Sequence, residues 1–130
     1  MKLLLDTMTI IYLVQQPAVV PQPALSILED ANNELFISLV SPWEMQIKVG
    51  IGKLTLGKPV AEIIAAEVAD RSIGLLSIKL EHIDELARLP MHHRDPFDRL
   101  LIAQAIREGL TLVTSDEQFK QYPVQTLWDR

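Results

Sequence analysis

Apolar residues along the chain fall into two kinds of run. Short, almost continuous ones at residues 3–5, 35–37, 75–78, 110–113 and, more weakly, 124–127 have the length and composition of strands buried on both faces. Between them lie segments of helical type at residues 7–15, 24–31, 42–53, 60–71, 81–89 and 96–108. Within these, Ile83, Leu86 and Ala87 recur at i, i+3 and i+4, which predicts a helix face packed on a sheet. Strands alternating with helices predict a parallel sheet covered on both faces, so the fold class is α/β.

Punctuation refines this pattern. Pro17, Pro21 and Pro23 mark a loop ahead of the second helix rather than a domain boundary. Residues 45–51 alternate apolar with polar or glycine, which alone reads as a half-buried strand. The preceding Ser41-Pro42-Trp43-Glu44 has a capping residue, a proline at the first helical position and a glutamate three residues after the cap. The cap decides for a helix. Residues 100–103 are apolar almost all round, which marks the 96–108 helix as central.

A length of 130 residues and 14.7 kDa fits a single domain over residues 1–130. The absence of cysteine excludes disulfides, thiolate metal sites and a cysteine nucleophile, and suits a reducing cytoplasm. A net charge of −5 and a pI near 5.1 disfavour broad neutralisation of nucleic-acid phosphates. The first apolar run breaks at Asp6, far short of a signal segment or membrane span. A soluble cytoplasmic domain without a membrane role is expected.

The chemistry concentrates in four acids. Asp6 ends the first apolar run, Glu44 lies just past the second, Asp98 sits in the first turn of the helix opening at Asp95-Pro96, and Asp116 follows the 110–113 run. In an open parallel sheet, the strand carboxyl ends and the helix starts beyond them share the edge where ligands bind. Each acid also has a purely structural explanation. Asp6 and Asp116 suit N-caps, Glu44 a capping box and an i+4 pair with Lys48, Asp95 an N-cap paired with Arg99, and Asp98 a first-turn acid favoured by the helix dipole. Asp98 fits that explanation worst, because Ile102 and Ala105 continue its row as an apolar stripe. Carboxylates about 5 Å apart repel by ~3 kcal/mol at an effective dielectric of about 20, so a converging set must hold protons, recruit a cation or separate. Oxygen donors without cysteine or a helical histidine pair point to Mg²⁺ or Mn²⁺, and such an ion suits phosphodiester hydrolysis.

Leu4-Leu5-Asp6-Thr7, then Ser41-Pro42-Trp43-Glu44, then His93 through Ala105 (HRDPFDRLLIAQA), then Val113-Thr114-Ser115-Asp116 resemble the successive motifs of the PIN-domain family. More narrowly they resemble the VapC toxins of type II toxin–antitoxin pairs. The block from Asp95 to Ala105 is the most specific. The resemblance implies a five-stranded parallel sheet flanked by helices, a metal-dependent endoribonuclease and a homodimer inhibited by a small VapB-like antitoxin. Carried over by position, Asp6, Glu44, Asp98 and Asp116 form the acidic pocket, with Asp6 and Asp98 as direct ligands of Mg²⁺ or Mn²⁺. Thr7 and Ser115 would orient carboxylates or waters, and Asp95 has either a supporting or a capping task. Met8 stands where many relatives have histidine and Tyr12 where they have tryptophan, which leaves the acids intact.

Other residues have simpler explanations. His92 and His93 are adjacent and read as loop residues, since paired histidine ligands usually need i, i+4 spacing; His82 is far away. Arg94, Arg99, Lys48 and Lys53 could touch phosphates or simply balance neighbouring acids. Gly50 and Gly52 form no phosphate loop, and Trp43 and Trp128 read as core or rim. A phosphoacceptor receiver domain would need a second acid beside Asp6 and one ending the 75–78 run; both are missing. An aspartyl phosphatase fails at Met8. A PIN-like binding module that acts through protein or RNA contacts without cleaving is the remaining alternative.

Overall fold

The computed structural model describes residues 1–129. Five strands, β1 (Lys2–Leu5), β2 (Glu34–Ser38), β3 (Gly74–Leu76), β4 (Thr111–Val113) and β5 (Thr126–Leu127), form one sheet in the order β3-β2-β1-β4-β5. Every neighbouring pair is parallel, with Leu5 level with Ile37 on one side and Val113 on the other. Six helices connect them: α1 (Thr7–Gln15), α2 (Gln22–Glu29), α3 (Val40–Gly50), α4 (Val60–Arg71), α5 (Leu80–Leu86) and α6 (Pro96–Glu108). The α/β sheet inferred from the apolar runs is therefore present.

The period-two alternation of the strands sorts side chains into two cores. Leu3, Leu5, Leu35, Ile37 and Val113 pack with α1, α2 and α4, whereas Leu4 and Leu112 pack with α6. Helix α6 is buried without a break from Arg99 to Ala105, as its all-round apolar stretch predicts. Pro96 opens it and Gly109, at φ 69°, closes it with Leu110 N–H donating to the Ala105 carbonyl.

Several boundaries differ from expectation. Helix α3 starts at Val40, whose N–H donates to Ser38 Oγ, so Ser41 lies inside the first turn rather than at the cap. It stops at Gly50, with Gly52 at φ 77° turning the chain away. The 45–51 segment is helical; its alternation arises because Met45 is buried while Ile47, Val49 and Ile51 face outward. Strand β3 begins at Gly74, where a β-carbon would stand 3.1 Å from the Phe36 ring, and ends at Leu76. Helix α2 lies two residues earlier than the apolar pattern indicates, between Pro21 and Asp30. Of the Ile83–Leu86–Ala87 row on α5 only Leu86 packs against the core: Ile83 is half exposed, Ala87 is exposed, and His82 and Glu85 face inward.

The strand order positions the site. From β1 the chain passes to β2 and β3 on one side, then returns across the sheet to β4 and β5 on the other. The resulting switch point lies between β1 and β4, the place where an open parallel sheet forms its binding crevice.

Candidate acidic site

Asp6 occupies that crevice because it continues β1 by one residue. Its N–H donates to the Val113 carbonyl at 3.1 Å, and its carboxylate turns back to accept Thr9 N–H at 2.8 Å, capping α1. Asp116 is the counterpart beyond β4. Its N–H donates to Thr114 Oγ1 at 3.0 Å and its carboxylate caps a short 3-10 turn through Gln118 N–H at 2.9 Å. Asp95 caps α6 by accepting from the N–H groups of Phe97 and Asp98, which holds Asp98 in the first turn. The capping assignments are thus correct for Asp6, Asp95 and Asp116. The Asp95–Arg99 pair is not formed: the buried Arg99 guanidinium donates to the Pro90 carbonyl at 2.9 Å and reaches Tyr122 Oη at 3.4 Å.

Burial and mutual repulsion dominate the electrostatics. The Asp98 carboxyl is pushed up to about 8, first by burial and then by the charges of Asp95, Glu44, Asp6 and Asp116. The Asp6 carboxyl is also raised by burial, with added repulsion from Asp116, against hydrogen bonds from Thr114 and the Thr9 amide. Glu44 is buried on α3; its Oε2 meets Lys48 Nζ at 2.8 Å, while Oε1 has no hydrogen-bond partner. Burial works against charge on Lys48, yet Glu44, Asp95 and Asp98 together hold its pKa above the ordinary value. Five carboxylates therefore share a field that Lys48 only partly balances.

The hydroxyls expected to support the acids are placed differently. Thr7 Oγ1 meets Ser41 Oγ at 3.0 Å in a buried contact joining α1 to α3, the helices that follow Asp6 and carry Glu44. Ser115 is exposed, and Thr114 supplies the hydroxyl beside Asp6 and Asp116.

Comparison with known proteins bears on the family and the fold. The PIN domain family model matches residues 3–125. The chain belongs to the PIN domain family. Its fold is similar to a chain in the crystal structure of VapBC2 from Rickettsia felis bound to a promoter DNA fragment, with a TM-score of 0.77 at 22% identity, covering 99% of this chain and 100% of that one. It is also similar to a chain of DNA-bound VapBC from Salmonella typhimurium, with a TM-score of 0.68 at 17% identity over 98% and 97% of the two chains. A chain of FitAcB from Neisseria gonorrhoeae gives 0.59 at 23% identity over 96% of each. No curated protein matches by sequence.

A second group of ligand-type side chains lies elsewhere in this PIN domain. Glu81, His82 and Glu108 offer donor atoms within 4.8 Å of one another, the one such set of three among the described residues. Glu108 closes α6 ten residues after Asp98, about 15 Å along the axis. His82 Nδ1 accepts Lys79 N–H at 3.0 Å, so the neutral ring carries its proton on Nε2, 2.8 Å from Glu108. That nitrogen lacks the lone pair a metal requires. His82 caps α5 and, through Glu108, ties it to α6, and the same bond lowers the Glu108 pKa.

Motif spacing did not single out His93 or Tyr122. His93 Nε2 lies 3.6 Å from Asp98 Oδ2, and Nδ1 lies 2.9 Å from Tyr122 Oη. Tyr122 comes from beyond β5's preceding turn, 29 residues away, so local pattern carried no sign of the contact. Trp43 lies on the rim, exposed and edge-on to Phe97. Trp128 packs on Tyr12 in the first core. Among the described residues, no helix is long and apolar enough to cross a membrane.

Proposed function

We propose that this PIN domain is a metal-dependent endoribonuclease, the toxin of a VapBC-type toxin–antitoxin module. The observation that carries the reading is the unbalanced field at the switch point: Asp98 near 8, Asp6 raised, and a buried Glu44 Oε1 without a partner. Native proteins rarely bury unpaired carboxylate oxygens at the mouth of a sheet crevice unless a ligand completes them. The donors are all oxygen, which fits Mg²⁺ or Mn²⁺ rather than zinc.

In this reading Asp6 and Asp98 would hold the ion, and Glu44 and Asp116 would orient the water and substrate around it. When bound, the ion would acidify an attacking water and neutralise charge on the scissile phosphate and the leaving oxygen. Glu44 uses Oε2 for Lys48 and keeps Oε1 for a proton or water. Asp116 is anchored through its backbone and cap, so its carboxylate is aimed before substrate arrives. An acidic chain gains little from general phosphate attraction, so the ion must supply the local attraction for RNA.

Two partners complete the proposal. Resembling chains come from VapBC structures, one of them VapBC-5 from Mycobacterium tuberculosis, a member of the VapBC family of toxin–antitoxin systems, and a ring of carboxylates is suited to an inhibitor that inserts an arginine, whose planar fork binds two carboxylate oxygens. Self-association is supported by Leu39, Trp43, Ile47 and Ile51, which form a row at i+4 spacing along α3 and are 43%, 53%, 40% and 61% exposed. The test is cleavage of single-stranded RNA with and without Mg²⁺ by wild type, Asp6→Ala and Asp98→Ala. Metal-dependent cleavage lost in both folded variants supports the proposal. Equal activity in all three overturns it, and RNA binding without cleavage by wild type would favour a non-catalytic module.

A further inference from the structure

The loop ahead of α6 and the segment after Asp116 meet at Tyr122, which is 4% exposed. Its phenol oxygen receives the N–H groups of His92 and His93, each at 3.2 Å, and a third donor, Arg99 Nη1, lies at 3.4 Å. Two lone pairs are thereby used, and the phenol's own hydrogen must go to an acceptor. His93 Nδ1, at 2.9 Å, is the acceptor within reach. A ring nitrogen that accepts carries no hydrogen, so the neutral His93 ring is protonated on Nε2.

That Nε2–H is buried and has no hydrogen-bond partner, yet it lies 3.6 Å from Asp98 Oδ2. The gap is just too long for a hydrogen bond, and a few tenths of an ångström of carboxylate rotation closes it. A buried donor left unpaired is costly, and the carboxylate beside it is the group that must present an oxygen to the crevice.

We propose that His93 is a positioning residue for Asp98: Tyr122 fixes the Nε2–H tautomer, and that N–H donates to Oδ2, orienting the carboxylate so that its other oxygen serves the divalent ion. This rests on the reading of Asp98 as an ion-holding acid. His93 is not itself a metal ligand, because the tautomer leaves Nε2 no lone pair. Partners of this kind are worth roughly 10–100-fold in metal affinity.

The experiment combines imidazole ¹⁵N spectra with Mn²⁺ titration of the full chain, using wild type, His93→Leu, His93→Gln and Tyr122→Phe. In wild type the spectrum should show the Nε2–H tautomer, and in Tyr122→Phe the Nδ1–H form should gain population. Mn²⁺ should bind His93→Leu about 10–100-fold more weakly. His93→Gln, whose amide can still donate, should recover most of the loss, and kcat should fall more than RNA KM changes. An Nδ1–H tautomer in wild type overturns the proposal, as does equal Mn²⁺ affinity in wild type and folded His93→Leu. If His93→Leu does not fold, Tyr122→Phe decides by the same two measurements: a gain of the Nδ1–H form with weaker Mn²⁺ binding supports the proposal, and an unchanged tautomer and affinity overturn it. If wild type binds no Mn²⁺, the metal reading fails, and this proposal fails with it for that separate reason.

Discussion

Asparagine at position 98 keeps the shape of the aspartate side chain and removes its charge. The Asp98 carboxyl stands at about 8 in the folded chain against 3.8 for the free group, because it is buried and faces Asp95, Glu44, Asp6 and Asp116. A carboxyl raised on folding contributes stability that is complete below pH about 4, falls as pH rises and is lost above the folded value. At ~1.4 kcal/mol per unit, the displacement costs the metal-free wild type about 4 kcal/mol at pH 7. Water reaching the 22% exposed side chain screens part of this, leaving about 2–4 kcal/mol. Asp98→Asn should therefore be more stable than wild type in chelator at pH 7 to 8, by roughly 6–12 °C in Tm at about 3 °C per kcal/mol. The advantage should shrink towards zero as pH falls to about 4. Paired urea and thermal melts across pH 4 to 9 measure it. A variant no more stable than wild type at pH 8, or a difference independent of pH, would refute the argument from burial and repulsion.

Millimolar Mg²⁺ or Mn²⁺ should raise the wild-type Tm, by up to ~2.7 kcal/mol of stabilisation at 100 times the Kd. Asp98→Asn should blunt that rise in a thermal-shift titration. His82→Leu should lose the α5 cap and destabilise the fold by about 2–3 kcal/mol, yet keep the same ion-dependent shift, which separates the Glu81–His82–Glu108 triad from the acidic site. Thr7→Val strands the buried Ser41 hydroxyl and should cost about 1–3 kcal/mol by urea melts, with Ser41→Ala in the same chain recovering part of it. Trp43→Glu should shift any dimer to monomer in sedimentation analysis while leaving the fold intact, since Trp43 is exposed.

The features that determine the fold were local and therefore legible. Leu3 to Leu5, Leu110 to Val113 and the Asp95-Pro96 opening carry their signals within a few residues, and α1, α4 and α6 match the predicted boundaries. That Asp6, Glu44 and Asp116 would lie close enough to act on Asp98 was also legible, because strand ends and helix starts converge in any parallel sheet. What the chain concealed depends on distant partners. Ser41 looked like a cap, but the helix begins one residue earlier, where Val40 N–H donates to Ser38 Oγ in the strand before it. Ile83 had the right spacing for the core, but α5 is anchored through His82 and Glu108, so Ile83 faces outward and only Leu86 of its row packs inward. The alternation over residues 45–51 corresponds to no single helix face: Met45 is buried, whereas Ile47, Val49 and Ile51 are exposed around the last turns of α3. His93 gained its role from Tyr122, 29 positions away.

The most direct test of the central claim is the position of Mn²⁺ in anomalous diffraction from soaked crystals. A peak in the crevice between β1 and β4, ligated by oxygens of Asp6 and Asp98 at about 2.0–2.3 Å, is the predicted result. A peak at Glu81, His82 and Glu108 instead, or none in the crevice at a concentration that supports RNA cleavage, would contradict the assignment.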